Sequence, residues 1–405
     1  MSMSRAFAST IACVSVAAVL GACGSSSSNS SDNASAKSTK PITVGFVIGK
    51  TGVLESYDVP AATAAKFAIA DINKSGGIDG RQVKTIEADM KSKPELAGTA
   101  ATDVISKGAD VLVTPCDFDL GSPAALVAQK AGKIGISTCA ASTNFGPQGV
   151  GDLAYTMGTG GVTEGAAAAE WAYGKKKFRT AYLLWDNTLD QNKQASAAFK
   201  QRWQELGGKL VGEDTFKQDD QSIGAQVTRI KDLSTQPDFV YMSSYQPGFA
   251  KAIKQVRAAG ISEPIIGGSD LDGDYWKSAV KNLSDVYFTA YASIYGDDPD
   301  TKINELVARY TKQAGKKPDV SAFLTGYAVV QALVQAIKET GGSTDGKALT
   351  AKMQAFTNEP FVLKTTYTPE FHISLKREVR ILEIHNGKTS VEGSWNAQEV
   401  PTPKG

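Results

Sequence analysis

Apolar positions along the chain fall into two alternating rhythms. Residues 42–49 form a short β-branched run bounded by glycine, the pattern of a strand buried on both faces. After Pro60, residues Ala61, Ala64, Ala65, Ala68, Ile69 and Ile72 recur at helical spacing, and Gly76-Gly77 supplies the stop. Residues 83–90 read as the next strand. Strand, helix and strand in that order make a βαβ unit, whose parallel pair presents ligands to the carboxyl ends of its strands. The loop of residues 50–57 sits at that end.

The alternation continues. A helix is expected over 94–107, a strand over 111–116, a helix over 121–131 and a strand over 134–139. Residues 153–157 lead into a second series, with a helix around 166–171, a strand over 180–186, a helix over 192–206 and a strand near Leu210. A helix over 223–233, a strand over 239–245, a helix over 248–259 and a strand over 264–268 complete it. Two such series predict an α/β protein of two doubly wound, Rossmann-like lobes. Further on come a strand over 286–292, helices over 302–314 and 321–340, and a β-rich tail over 364–395. Asn386-Gly387 between apolar-alternating runs in that tail is a hairpin signal.

Gly52, Tyr57, the run from Asp71 and Asn73 through Gly77 to Gly80, and Asp89 at the end of the second strand together resemble the opening of branched-chain amino-acid-type solute-binding proteins of ABC importers. The order and spacing of these loose motifs can be followed through nearly the whole chain after Pro41. The resemblance implies the type I periplasmic-binding-protein fold, with three segments crossing between the lobes near Thr156, Ala292 and Leu363. Residues 41–156 plus 293–362 would then form the amino-terminal lobe, and 157–292 plus 363–405 the carboxy-terminal lobe.

Composition and the amino terminus add a location. The formal charge of +1 over 405 residues gives no electrostatic case for nucleic acid. Residues 1–22 carry Arg5 and an apolar run too short to span a bilayer, the pattern of a secretory signal. The signal ends in Leu20-Gly21-Ala22-Cys23, which looks like a bacterial lipobox, with Cys23 as the lipid acceptor. Residues 24–40 are small and polar, too poor in apolar surface to fold, and read as a tether reaching roughly 20–25 Å. A monomer anchored to the membrane through its lipid alone, on the extracytoplasmic face, is the resulting expectation. Of the two remaining cysteines, Cys116 and Cys139 each end a predicted strand of one sheet. Export permits a disulfide between them; two buried free thiols are the alternative.

Catalytic motifs are weak. Gly45 to Thr51 approaches a phosphate loop, but Val44 stands where the first glycine is required. His372 and His385 are the only histidines, no metal-type cysteine or histidine spacing occurs, and no nucleophile elbow is present. The reading is therefore a non-enzyme with neither cofactor nor metal. Its partners are a small solute and the ABC permease subunits.

The resemblance carries site residues across at the strand ends. Tyr57 matches the aromatic of the first loop, Asp117 the hydroxyl that holds a ligand carboxylate, and Ser142 a later hydroxyl, with Ala140 offering its backbone. Asp190 stands where a tyrosine is frequent, Tyr245 matches a second aromatic, and Ser269 with its neighbour Asp270 falls at the acid that receives a ligand amine. Asp117 is a departure. A carboxylate there repels a ligand carboxylate at ~4 Å by on the order of 4 kcal/mol at an effective dielectric of 20, unless Lys50 or a cation offsets it. Alternatively Asp117 caps the following helix and points away. The ligand is expected to be a small polar or amphipathic solute such as an amino acid or amide. An aromatic acid is the alternative ligand, and a ligand-sensing receptor of the same fold the alternative role.

Overall fold

The computed structural model describes residues 39–402. The expected signal, Cys23 and nearly all of the tether lie outside the described residues.

Two sheets organise the described chain. The first holds β1 (Ile42–Ile48), β2 (Val83–Asp89), β3 (Val111–Thr114), β4 (Gly135–Ser137) and β5 (Ala154–Thr156), all parallel, in the order β2-β1-β3-β4-β5. Its crossovers are α1 (Glu55–Lys74), α2 (Pro94–Ser106) and α3 (Phe118–Lys130). The second repeats the plan with β6 (Thr180–Asp186), β7 (Lys209–Phe216), β8 (Phe239–Ser243), β9 (Ile265–Gly267) and β10 (Val286–Ala290). These strands run in the order β7-β6-β8-β9-β10, parallel throughout. The helices of this lobe are α4 (Gly161–Gly174), α5 (Asp190–Glu205), α6 (Gly224–Lys231) and α7 (Gly248–Ala258). In both sheets the strand order reverses beside the first strand of the series, and crevices for ligands form at the carboxyl ends around that point.

The chain returns to the first lobe after β10. There α8 (Thr301–Ala314), α9 (Phe323–Glu339) and α10 (Gly346–Met353) bury Val307, Tyr310, Phe323, Leu333 and Met353 in one core with Ile42, Phe46 and Val113. Helices pack closely at one glycine per lobe. A Cβ on Gly326 of α9 would overlap the carbonyl oxygen of Ala61 on α1, and one on Gly165 of α4 that of Ala195 on α5. Finally β11 (Val379–His385) and β12 (Lys388–Trp395) extend the second sheet antiparallel, joined at Asn386 and Gly387, both of positive φ as a two-residue hairpin turn requires.

Several boundaries differ from those expected. Helix α1 begins at Glu55 and runs through Pro60 rather than starting after it. The carboxylate of Asp58 pins its first turn by accepting the N–H groups of Gly49 at 2.7 Å and Cys116 at 2.8 Å. Tyr57 therefore stands on a helix and not on a loop. Helix α10 carries no strong sequence signal and was not expected, while residues 364–378 of the tail form no strand. That segment stays against the first lobe through His372, whose ring stacks on Tyr155 at 3.9 Å and bonds the carbonyl of Ala154. The third crossing so falls later than Leu363.

Arg377 ties the crossings together. Buried, it donates to the carbonyls of Met157 (2.7 Å) and Lys364 (2.9 Å) and to the hydroxyls of Thr159, Thr365 and Ser374. Tyr291, just past β10, accepts the N–H of Thr159 at 3.4 Å. Cys116 and Cys139, at the ends of β3 and β4, are joined as a disulfide with their Cα atoms 4.4 Å apart.

Candidate functional site

The carboxyl ends of the two sheets face each other and meet directly. Tyr57, on the first turn of α1, reaches across to the second lobe, where its hydroxyl lies 3.0 Å from the carbonyl of Asp270, 3.3 Å from that of Ser269 and 3.3 Å from the Tyr275 hydroxyl. Tyr245, just beyond β8, reaches the other way and donates to the carbonyl of Val53 at 3.2 Å. The two rings lie 5.5 Å apart and tilted. Each lobe thus sends one tyrosine into the other.

A polar seam runs beside them. Ser142, in the loop after β4, donates to Asp190 at the start of α5. Asn144 and Gln194 add bonds to the same carboxylate at 3.0 and 2.8 Å. Asp119 accepts the N–H of Asp190 at 2.8 Å, and Gln194 accepts that of Thr143 at 3.0 Å. On the opposite edge, Asp272 accepts the N–H of Ser321 at 2.5 Å. These bonds hold the lobes together in a closed arrangement.

Carboxylates crowd the space between. Asp117 is the N-cap of α3: its Oδ1 accepts the N–H of Leu120 at 2.7 Å. That is the capping alternative, and it uses half the group. Its Oδ2 is buried with no hydrogen-bond partner, although the Asp117 charge acts on Tyr245 and Asp270 of the other lobe. The Asp270 carboxylate accepts from the Gln191 amide at 3.1 Å. Glu164, on the first turn of α4, accepts the N–H of Ser269 at 2.9 Å. Burial raises all of these acids: Asp58, Asp117 and Glu164 are pushed to about 7, Asp272 to about 6, and Asp270 well above the ordinary carboxylate range. Neighbouring carboxylates raise Asp117 and Asp270 further.

Of the residues expected at the site, Tyr57, Asp117, Ser142, Asp190, Tyr245, Ser269 and Asp270 come to the meeting edges of the lobes. Ala140 lies there too, but its N–H donates to Ser137 and its carbonyl accepts from Thr156, so its backbone is already engaged. Lys50 does not join them. It follows β1 on the outer side, where its ammonium pairs with Glu87 of β2 at 3.3 Å, and it leaves Asp117 without an offsetting charge. The sequence reading missed Asp58, Asp119, Glu164, Gln191, Gln194 and Tyr275. A lone acid in the otherwise small and apolar start of α4 was the signal available for Glu164; the others resemble ordinary loop and helix-start residues. Among the described residues no three or more histidine, cysteine or carboxylate side chains group to hold a metal ion. No described helix is long and apolar enough to cross a membrane.

A family model described as periplasmic binding protein matches residues 41–389. The Leu/Ile/Val-binding protein BraC3 of Rhizobium johnstonii is 26% identical over 329 residues, covering 80% of this chain and 87% of that one. The leucine-, isoleucine-, valine-, threonine- and alanine-binding protein of Pseudomonas aeruginosa is 22% identical, covering 76% and 81%. Among solved structures, the branched-chain amino acid transporter substrate-binding protein LivJ of Streptococcus pneumoniae, in complex with isoleucine, aligns with a TM-score of 0.75 at 23% identity over 88% of this chain and 99% of that one. A solute-binding protein of an ABC transporter from Rhodopseudomonas palustris, in complex with 3,4-dihydroxybenzoic acid, aligns at 0.72 and 21% over 90% and 99%. With two lobes of the same winding and a family match over most of its length, the chain belongs to the periplasmic binding protein family, the solute-binding proteins of ABC transporters.

Proposed function

We propose that this protein is a lipid-anchored, extracytoplasmic solute-binding protein that captures a small polar or amphipathic organic solute between its lobes and delivers it to an ABC importer. The observation that carries this reading is the reciprocal insertion of Tyr57 and Tyr245, each bonded to backbone of the opposite lobe. Side chains that make contact only when the lobes meet give the closed form a surface the open form lacks, and a ligand sharing that surface shifts the population toward closure. The protein makes and breaks no bond of its own; its work is differential affinity. Monomeric binding, with the membrane met through the lipid on Cys23, completes the reading.

Two measurements test it. A panel of small solutes scored by thermal shift identifies a ligand, because a molecule bound only by the folded state stabilises it by RT ln(1 + [L]/Kd). Scattering at saturating ligand then shows a smaller radius of gyration. In cells, Cys23→Ala moves the protein from the membrane to the soluble fraction without altering its unfolding profile. An unchanged radius with bound ligand, or membrane retention of the variant, overturns the corresponding half of the proposal.

A further inference from the structure

We infer that the solute is an organic cation carrying an amine or amidine and no carboxylate, seated between Asp117 of the first lobe and Asp270 of the second. The inference rests on reading the cleft as the solute site and names the class of solute it takes.

Four observations converge on it. First, Asp117 is 1% exposed and its Oδ2 has no partner, so half of a buried carboxylate is left to bind something the protein does not supply. A buried polar atom without a partner is destabilising, and a donor on the ligand would recover that loss. Second, the charges that act most strongly on Asp117 and Asp270 are other carboxylates, Asp58 and Asp119 on one side, Glu164 and Asp186 on the other. Lys50, the candidate for neutralising them, is paired with Glu87 outside the cleft. Third, these carboxylates do not converge as the ligands of a metal ion would. They are divided between two lobes, an arrangement suited to an extended molecule. Fourth, Tyr57, Tyr245 and Tyr275 contact one another at the meeting edges of the lobes, with Tyr245 within range of the charges of Asp117 and Asp270, and aromatic rings attract ammonium and guanidinium groups.

An anionic solute meets the opposite environment. A carboxylate placed beside Asp117 and Asp270 would be repelled from both lobes, and Lys193, the lysine whose charge reaches Asp119, is exposed on α5. Branched-chain amino acids and aromatic acids are both disfavoured by that argument.

Sets that share a carbon frame but differ in whether they carry a carboxylate test the inference on the full chain by titration calorimetry: isoamylamine against leucine and 4-methylpentanoate, benzylamine against benzoate, agmatine against arginine. The amine of at least one set should bind at least tenfold more tightly than its carboxylate-bearing counterparts. Asp117→Asn, whose amide still caps α3, should weaken that amine at least tenfold, as should Asp270→Asn, with cooperative unfolding retained in both. Tighter binding of leucine, benzoate or arginine, or unchanged amine affinity in both variants, overturns the cationic assignment. Carboxylate binding accompanied by compaction would leave the solute-binding reading standing. No heat and no compaction with any probe would overturn both.

Discussion

The cleft and the hinge bury opposite charges and treat them differently. Arg377 lies buried among the crossing segments with no carboxylate partner among the described residues, and its guanidinium is satisfied by the carbonyls of Met157 and Lys364 and the hydroxyls of Thr159, Thr365 and Ser374. The cleft buries Asp58, Asp117, Glu164 and Asp272, yet leaves oxygens of Asp117 and Asp272 without partners. A buried charge must be solvated by something. At the hinge the fold supplies it; in the cleft the supply is incomplete, which is what a surface shaped for another molecule requires. The Arg377 guanidinium is closed on its own partners, whereas the Asp117 and Asp272 carboxylates are each left with one open oxygen.

Breaking the hinge side should have the largest effect. Arg377→Met removes a fork that holds segments far apart in the chain and strands several buried acceptors, which costs about 3 kcal/mol or more. Arg377→Lys should recover little of this, because an ammonium does not present the planar fork that serves five acceptors. Denaturant unfolding of the ligand-free protein measures both. A loss below ~1 kcal/mol in Arg377→Met would remove the hinge from the comparison.

The middle-sized effect belongs to the tyrosines. Tyr57→Phe and Tyr245→Phe delete cross-lobe hydrogen bonds while keeping the rings, each worth about 1 kcal/mol. Closure should become roughly fivefold less favourable per variant, seen as a larger radius of gyration without ligand and weaker binding with it. Equal compaction in wild type and the double variant would mean that the hydroxyls do not hold the lobes together.

The two sides were unequally legible in the sequence. Strands such as residues 42–48 and 180–186 were readable because burial on both faces demands unbroken β-branched and apolar runs, and Asn386-Gly387 declared its turn through the positive φ both residues adopt. The seven residues from Tyr57 to Asp270 that lie at the meeting edges of the lobes were legible only through the family resemblance, which placed them at strand ends. Arg377 and Asp58 were not legible, because their partners are backbone groups from distant segments that leave no local pattern. Lys50 was misplaced for a related reason: position beside the loop suggests the cleft, but Glu87 on the adjacent strand captures its ammonium. Pro60 suggested a helix start because the anchoring of the preceding turn by Asp58 is tertiary.

The effect most specific to the cleft is read through pH. Asp58, Asp117 and Glu164 are raised to about 7 and Asp272 to about 6 by burial, whereas in the unfolded chain such groups ionise near ~4. Between those values the folded state holds protons that the unfolded chain has released, so stability is greatest below the unfolded pKa and falls as pH rises through the folded one. His372 acts in the other direction: burial lowers it to about 4, so over the lower part of the window it favours the unfolded chain as pH falls, one proton against several. The ligand-free protein should therefore melt at a higher temperature at pH 5.5 than at pH 7.5. Asp117→Asn should reduce that dependence by at most one proton, ~1.4 kcal/mol per pH unit, while Arg377→Met should leave its slope unchanged because the guanidinium does not titrate in this range. A saturating amine should flatten it too, because a bound cation favours ionised carboxylates and removes the preference for the protonated fold. Calorimetric melting of the three proteins across pH 5–8, with and without isoamylamine, checks the whole pattern. A melting temperature that rises with pH between 5.5 and 7.5 would show that the cleft carboxylates are already neutralised from within, making cleft and hinge alike.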